Sequence, residues 1–235
     1  MPQQPLAPPR LIAHRGLSAR APENTLAAVR AAHEAGCRWV ELDVQLLGDG
    51  TPVIWHDRDV SRCSNGRGRL VDLDIARARQ LDAGSWFAAE FAGEPMATLE
   101  RMLTLIDELA LGLNLELKVN RGRDPEALVE RALPPLLEAL PAERLIVSSF
   151  DASALAHARR QAPAERLPLG GLFERVPATG PPAVPPSMPT ACTPTGAACA
   201  RLAPMTSSSP AMRCCVTRPT TRQPSPHAGS GACMA

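Results

Sequence analysis

The sequence predicts an α/β fold of the (β/α)8-barrel type, incomplete at about six strands and followed by a disordered C-terminal tail. Three observations predict it. Short apolar strands alternate with helical patterns as far as residue 174, which is the signature of a parallel sheet covered by helices. Charged and polar residues recur where those strands end, at the edge where parallel α/β folds place their chemistry. After Arg175 both periodicities stop.

Leu11-Ile12-Ala13 opens the series as a first strand. Pro22-Glu23-Asn24-Thr25 then starts a helix, with Asn24 as N-cap, Leu26, Val29 and Ala32 or His33 at helical spacing, and Gly36 as the stop. The second strand is Trp39 to Val44, and a turn at Gly48-Asp49-Gly50 leads into a third, Pro52 to Trp55. Residues 58–93 are polar and Gly-punctuated, with a short helix near Leu73 to Leu81, and read as an insertion over the active face. Thr98 to Leu109 is helical, with Leu99, Met102, Leu103 and Ile106 on one face. Gly112 to Val119 alternates Leu113, Leu115 and Leu117 with Asn114, Glu116 and Lys118. That alternation also suits an exposed antiparallel strand; position in the chain favours a parallel one carrying an acid and a base at its end. Asp124 to Leu140 (helix), Arg144 to Ser149 (strand), Ala152 to Gln161 (helix) and Leu167 to Phe173 (sixth strand) complete the pattern.

The strand at 39–44 carries the strongest chemical signal. Glu41 and Asp43 are two residues apart, so an extended backbone points both carboxylates to one side. Unpaired buried carboxylates are costly and repel one another unless a cation lies between them, and oxygen donors suit Mg²⁺ or Ca²⁺. His14-Arg15-Gly16 precedes this strand and His56-Asp57 follows it, and all three segments read as the ends of successive strands. Two histidines can divide general acid and base duties. A divalent cation on Glu41, Asp43 and Glu116 can polarise a phosphoryl oxygen, and Arg15 and Lys118 can neutralise phosphate charge. The set suits metal-assisted cleavage of a phosphodiester.

A length of 235 residues fits one large domain. The formal net charge of +1 gives no general bias toward nucleic acid or an anionic membrane. Residues 1–174 hold all 24 acidic residues and 20 of the 25 basic ones, a balance of −4. Residues 1–9 read as a flexible Pro-rich leader without a signal-peptide core, and no stretch is long enough to cross a membrane, so a cytoplasmic location is expected. The seven cysteines show no paired zinc spacing and read as thiols of a reducing compartment.

His14-Arg15-Gly16, Pro22-Glu23-Asn24-Thr25, Glu41-Leu42-Asp43, His56-Asp57 and Glu116-Leu117-Lys118, in this order, resemble the signature of glycerophosphodiester phosphodiesterases, notably the short cytosolic bacterial type. The resemblance covers about residues 10–174 and implies a TIM barrel that hydrolyses glycerophosphodiesters to sn-glycerol 3-phosphate and an alcohol. It places the family's catalytic histidines on His14 and His56, its Ca²⁺ or Mg²⁺ ligands on Glu41, Asp43 and Glu116, and its phosphate contacts on Arg15 and Lys118. The implied partner is a small glycerophosphodiester, with neither nucleic acid nor membrane insertion. Another barrel phosphodiesterase, of phospholipase C or D type, is the competing enzyme reading. Around this set, Glu23 either favours a helix N-terminus or touches substrate, and Asp57 either orients His56 or caps a turn. His33, His157 and His227 read as surface or helix residues, and Trp39 and Trp55 as packing. Ser148-Ser149-Phe150 either borders the pocket or is structural.

Residues 175–235 depart from that pattern. They contain twelve Pro, five Cys, one Leu, no Ile, no aromatic residue and no acid, too little apolar surface to fold. The aromatic-Thr-x-Asn motif that the resemblance implies on a seventh strand is absent. Regrouping the codons permitted for Val216 to Arg222 allows Tyr-Thr-Ala-Asn-Asp-Pro in another frame, so the tail reads as an out-of-frame translation of a GC-rich gene. A genuine tail would leave a truncated, inactive or unstable barrel that keeps the site residues.

Overall fold

The computed structural model describes residues 11–173 and two further backbone stretches, 199–202 and 212–215. Within 11–173 the chain forms a six-stranded sheet of β1 (Ala13–His14), β2 (Trp39–Leu46), β3 (Pro52–Ile54), β4 (Gly112–Leu117), β5 (Leu145–Ser149) and β6 (Leu169–Gly171). Its parallel path runs β1-β2-β4-β5-β6. The helices α1 (Leu26–Glu34), α2 (Ile75–Ala78), α3 (Leu99–Glu108), α4 (Pro125–Ala139) and α5 (Ala152–Gln161) lie between the strands in sequence.

The central strand shows why this order is stable. β4 pairs in parallel with β2 on one side and β5 on the other. Its Leu113, Leu115 and Leu117 are buried in one core with Met102 and Ile106 of α3 and Leu133 and Leu136 of α4. Each such Leu contributes about 2 kcal/mol by burial alone. The exposed antiparallel alternative for this strand is thereby excluded. Helix starts follow side-chain caps: Thr98, Asp124 and Asp151 each accept a backbone N–H from the first turn of α3, α4 and α5.

Two expectations are corrected. β3 is not a successive parallel strand: it returns antiparallel along β2, with Val44 opposite Ile54 and Leu46 opposite Pro52. A two-strand reversal needs only a tight turn, and residues 47–51 supply nothing longer. Among the described residues the parallel series therefore has five strands, and the sixth strand of the sheet is the hairpin partner of β2. At the start of α1, the cap is Thr25, whose hydroxyl accepts from Ala28 N, and not Asn24. Asn24 instead has a left-handed backbone (φ 59°) and turns its side chain to the sheet.

The 58–93 insertion is folded. It packs Val60, Cys63, Leu70, Ala78 and Ala83 with Leu47, Val53, Trp55 and Met96 into a second, smaller core. Trp39 and Trp55 are both buried, as packing residues should be. The expected leader at 1–9 lies outside the described residues. So does the expected disorder of 175–235, except that Cys199–Leu202 and Met212–Cys215 pair as an antiparallel ribbon. They form a sheet of their own and do not continue the parallel series.

Candidate active site

The parallel register of β2 and β4 sets Asp43 beside Glu116, and that of β1 and β2 sets His14 beside Glu41. Alternation along β2 puts Glu41, Asp43 and Gln45 on one face, opposite the Leu-rich core. Glu41, Asp43 and Glu116 are all buried, Asp43 to 1% exposure. Each offers a carboxylate oxygen to a group whose members lie within 4.8 Å of one another. Three buried acids in this space are tolerable only with positive charge among them. Lys118 Nζ lies 2.6 Å from Glu116 Oε1 and 3.2 Å from Asp43 Oδ1. Arg15 Nε lies 3.3 Å from Asp43 Oδ2.

Electrostatics divide the three acids. Burial, then the charges of Asp43 and Glu116, push the Glu41 carboxyl well above its usual range. Burial, then the charge of Asp43, pushes Glu116 up to about 7. Burial also opposes ionisation of Asp43, but Lys118 and Arg15 hold it below the usual carboxylate range. Asn24 supports that charge: its Nδ2 donates to Asp43 Oδ2 at 2.9 Å, while its Oδ1 accepts from Asp43 N. Asp43 Oδ1 is buried and faces the Lys118 ammonium at 3.2 Å. The donor set is all oxygen and tightly clustered, which fits a hard divalent cation.

The loop after β1 wraps tightly to place Arg15. Arg15 (φ 56°) and Gly16 (φ 75°) are both left-handed, and a Cβ at residue 16 would lie 2.6 Å from Ala28 Cβ. Glycine is therefore needed there on two counts. The turn directs Arg15 N to Glu41 Oε2 at 3.1 Å and its guanidinium to Glu23 Oε1 at 2.7 Å. His14 Nε2 stands 3.7 Å from Glu41 Oε2.

His56 arrives from the other side, through the reversal of β3. Gln45 holds this segment, its Nε2 donating to the carbonyls of Trp55, His56 and Asp57 at 2.8–3.0 Å. Asp57 Oδ1 is 2.6 Å from His56 Nδ1, which fixes the ring and leaves Nε2 for chemistry. Burial lowers the His56 pKa, so the ring is mostly neutral near pH 7. Burial opposes the charge of Asp57, yet hydrogen bonds from Arg62 and His56 bring its pKa to about 2.

All seven residues picked from sequence are thus brought to one rim. Asp57 orients His56, as one of its two readings held. Glu23 bonds Arg15 and Arg62 and lies before the α1 cap, outside the first turn of that helix. Three residues escaped sequence reading, Gln45, Arg62 and Asn120, as did the bonds of Asn24 to Asp43. Gln45 could have been found by carrying the Glu41, Asp43 alternation one step further. Asn120, whose Nδ2 donates to Gln45 Oε1 at 2.6 Å, continues the Glu116, Lys118 alternation in the same way. Arg62 clamps Glu23 and Asp57 through four hydrogen bonds, and no local pattern announces it. His157 faces Glu126 and Glu130 on the helices, away from this set. Ser148 and Ser149 are buried and bonded to Asn114 and to the Leu117 carbonyl, a structural use. Phe150 is partly exposed with Lys118 Nζ 5.8 Å from its ring centre, which puts it at the rim.

The sequence profile of the glycerophosphoryl diester phosphodiesterase family matches residues 14–206. A glycerophosphodiester phosphodiesterase of Caldanaerobacter subterraneus subsp. tengcongensis is 38% identical over 164 residues, 70% of this chain and 66% of that protein. A putative glycerophosphodiester phosphodiesterase of Bacillus subtilis is 41% identical over 54% of this chain and 51% of its own length. This chain therefore spans between half and two-thirds of those two relatives. Among solved structures, an Oleispira antarctica phosphodiesterase in complex with the product sn-glycerol-3-phosphate superimposes with a TM-score of 0.68 at 39% identity. That match covers 72% of this chain and 68% of the other.

Proposed function

The chain belongs to the glycerophosphoryl diester phosphodiesterase family, and from that membership we propose that it hydrolyses glycerophosphodiesters to sn-glycerol 3-phosphate and an alcohol. One observation carries the reading: a buried triad of carboxylates is flanked by two histidines, an arginine and a lysine on one rim. The Oleispira relative, with its sn-glycerol-3-phosphate product, supports the choice of substrate.

In this proposal Glu41, Asp43 and Glu116 hold Ca²⁺ or Mg²⁺, which when bound polarises the phosphoryl oxygen and offsets its charge. Arg15 and Lys118 turn toward the remaining phosphate oxygens. His14 and His56 divide the proton transfers: one takes the proton of the nucleophile, the glycerol 2-hydroxyl or a water, and the other returns a proton to the leaving alcohol. The proposed partner is a small molecule and not nucleic acid. Among the described residues no helix is long and apolar enough to cross a membrane. The free thiols of Cys37 and Cys63 support a cytoplasmic setting.

The test is release of sn-glycerol 3-phosphate by the full chain from glycerophosphocholine and glycerophosphoethanolamine, with Ca²⁺ or Mg²⁺ and with chelator. Chelator should abolish it, and H14A and H56A should each reduce it at least ~100-fold. Turnover of sphingomyelin alone sinks the proposal in favour of a lyase-type barrel.

For the domain division we propose a barrel unit at 10–174, carrying the 58–93 insertion, and an out-of-frame tail from 175. Resequencing the gene across codons 170–185 tests the tail. A missing or extra base is expected, and a clean read with no alternative frame encoding strands removes the idea.

A further inference from the structure

Beside the carboxylate cluster lies a cleft of about 360 Å³ with an unusual charge, bounded by the β2–β3 hairpin, the turn Leu70–Asp72 and the loop after β4. Four arginines line it, Arg58, Arg69, Arg121 and Arg123, against one acid, Asp72. Asp72 is engaged by Arg69 at 2.8–2.9 Å, and Arg123 is held by the Leu46 carbonyl at 2.7 Å. Arg58 and Arg121 make no side-chain hydrogen bond or salt bridge among the described residues. This concentration of positive charge stands on a chain whose first 174 residues carry a balance of −4.

The position of the cleft gives it a meaning. Gln45 and Asn120 also line it. Gln45 lies two residues beyond Asp43 on the same face of β2, one layer or about 7 Å further up the rim, and its Oε1 accepts from Asn120 in the loop after β4. A substituent on the second or third carbon of a leaving alcohol sits about 5–7 Å from the reacting phosphorus, at about 1.5 Å per bond. Guanidinium groups recognise phosphate oxygens through paired hydrogen bonds. We propose that this cleft is a subsite for a phosphate carried by the leaving alcohol, so that the chain prefers glycerophosphodiesters whose alcohol bears a second anionic group. The inference rests on the hydrolase reading above and adds a substrate class to it.

The test compares kcat/KM for glycerophosphoinositol and glycerophosphoinositol 3-phosphate, a pair differing by the one phosphate on the third carbon of the alcohol, using the full chain with divalent metal. The phosphorylated member should be favoured about 10-fold or more, one charge-assisted pair being worth that much. The ratio should shrink with added salt and fall toward one in R58Q/R121Q, whose side chains are exposed and do not carry the fold. A ratio of one in the wild type, or a ratio unmoved by the double substitution, overturns the subsite. If the wild type hydrolyses neither compound, the hydrolase reading fails separately. Calorimetric binding of inositol 3-phosphate then decides the cleft alone: at least tenfold weaker binding in R58Q/R121Q supports it, and equal binding overturns it. Binding of inorganic phosphate as tight as that of inositol 3-phosphate marks a free-anion site and also overturns it.

Discussion

Loading the Glu41–Asp43–Glu116 cluster with a divalent cation should expel protons, in an amount set by pH. Burial, then the charge of Asp43, holds Glu116 at about 7 in the metal-free protein, and Glu41 is raised as well. A group of that pKa is about nine-tenths protonated at pH 6 and about one-tenth protonated at pH 8. Ligation requires the carboxylate. Binding should therefore release about 0.9 proton from Glu116 at pH 6 and about 0.1 at pH 8, with Glu41 adding to both. Titration calorimetry of Ca²⁺ or Mg²⁺ into chelator-treated protein, in two buffers of different ionisation enthalpy, measures this directly. E116Q should lose the Glu116 share. Release that is absent at pH 6, or equal at pH 6 and 8, would refute the electrostatic reasoning. The same shift has a stability counterpart. A carboxyl raised in the folded state contributes stability that is full below its unfolded pKa, near 4.5, and is lost as pH rises through about 7. The metal-free protein should thus melt at lower temperature at pH 8 than at pH 5, and added cation should reverse the trend.

Three further outcomes are expected. R62A should lower kcat about 10-fold or more with little change in metal affinity, because it frees Asp57 and Glu23. Since Arg62 is half exposed, the stability cost should be only about 1 kcal/mol, and an unchanged kcat would show that the clamp does not govern His56. The depressed pKa of Asp57, about 2, predicts that the wild type's stability advantage over D57N is full above pH ~4 and lost as pH falls through ~2, as thermal melts across that range would show. G112A should destabilise by about 1–3 kcal/mol in denaturant titration, because its Cβ would meet the Trp39 ring at 2.3 Å.

The fold was legible in the sequence where periodicity was strong. Leu113, Leu115 and Leu117 announced a strand, and Leu99, Met102, Leu103 and Ile106 a helix face, and both were found. Strand direction was not legible. Pro52 to Trp55 reads the same whichever way it pairs, and only the tight Gly48-Asp49-Gly50 turn hinted at a hairpin. The candidate site was legible at its charged centre, because paired carboxylates on a buried strand have few structural uses. Its support was hidden for a different reason. Asn24 looked like a cap by local preference, and the pull of Asp43, nineteen residues away, overrode it. Arg62 reaches Glu23 across thirty-nine residues, a distance that no local pattern encodes.

His56 hangs from the sheet by one amide: Gln45 grips the carbonyls of three successive residues, and Asp57, itself clamped by Arg62, holds the ring. Q45A should cut that tether while β2 and the carboxylate cluster stay folded, so that the imidazole samples several rotamers. The ring signals of His56 in an NMR spectrum would then broaden or split while the backbone amides of β4 stay sharp.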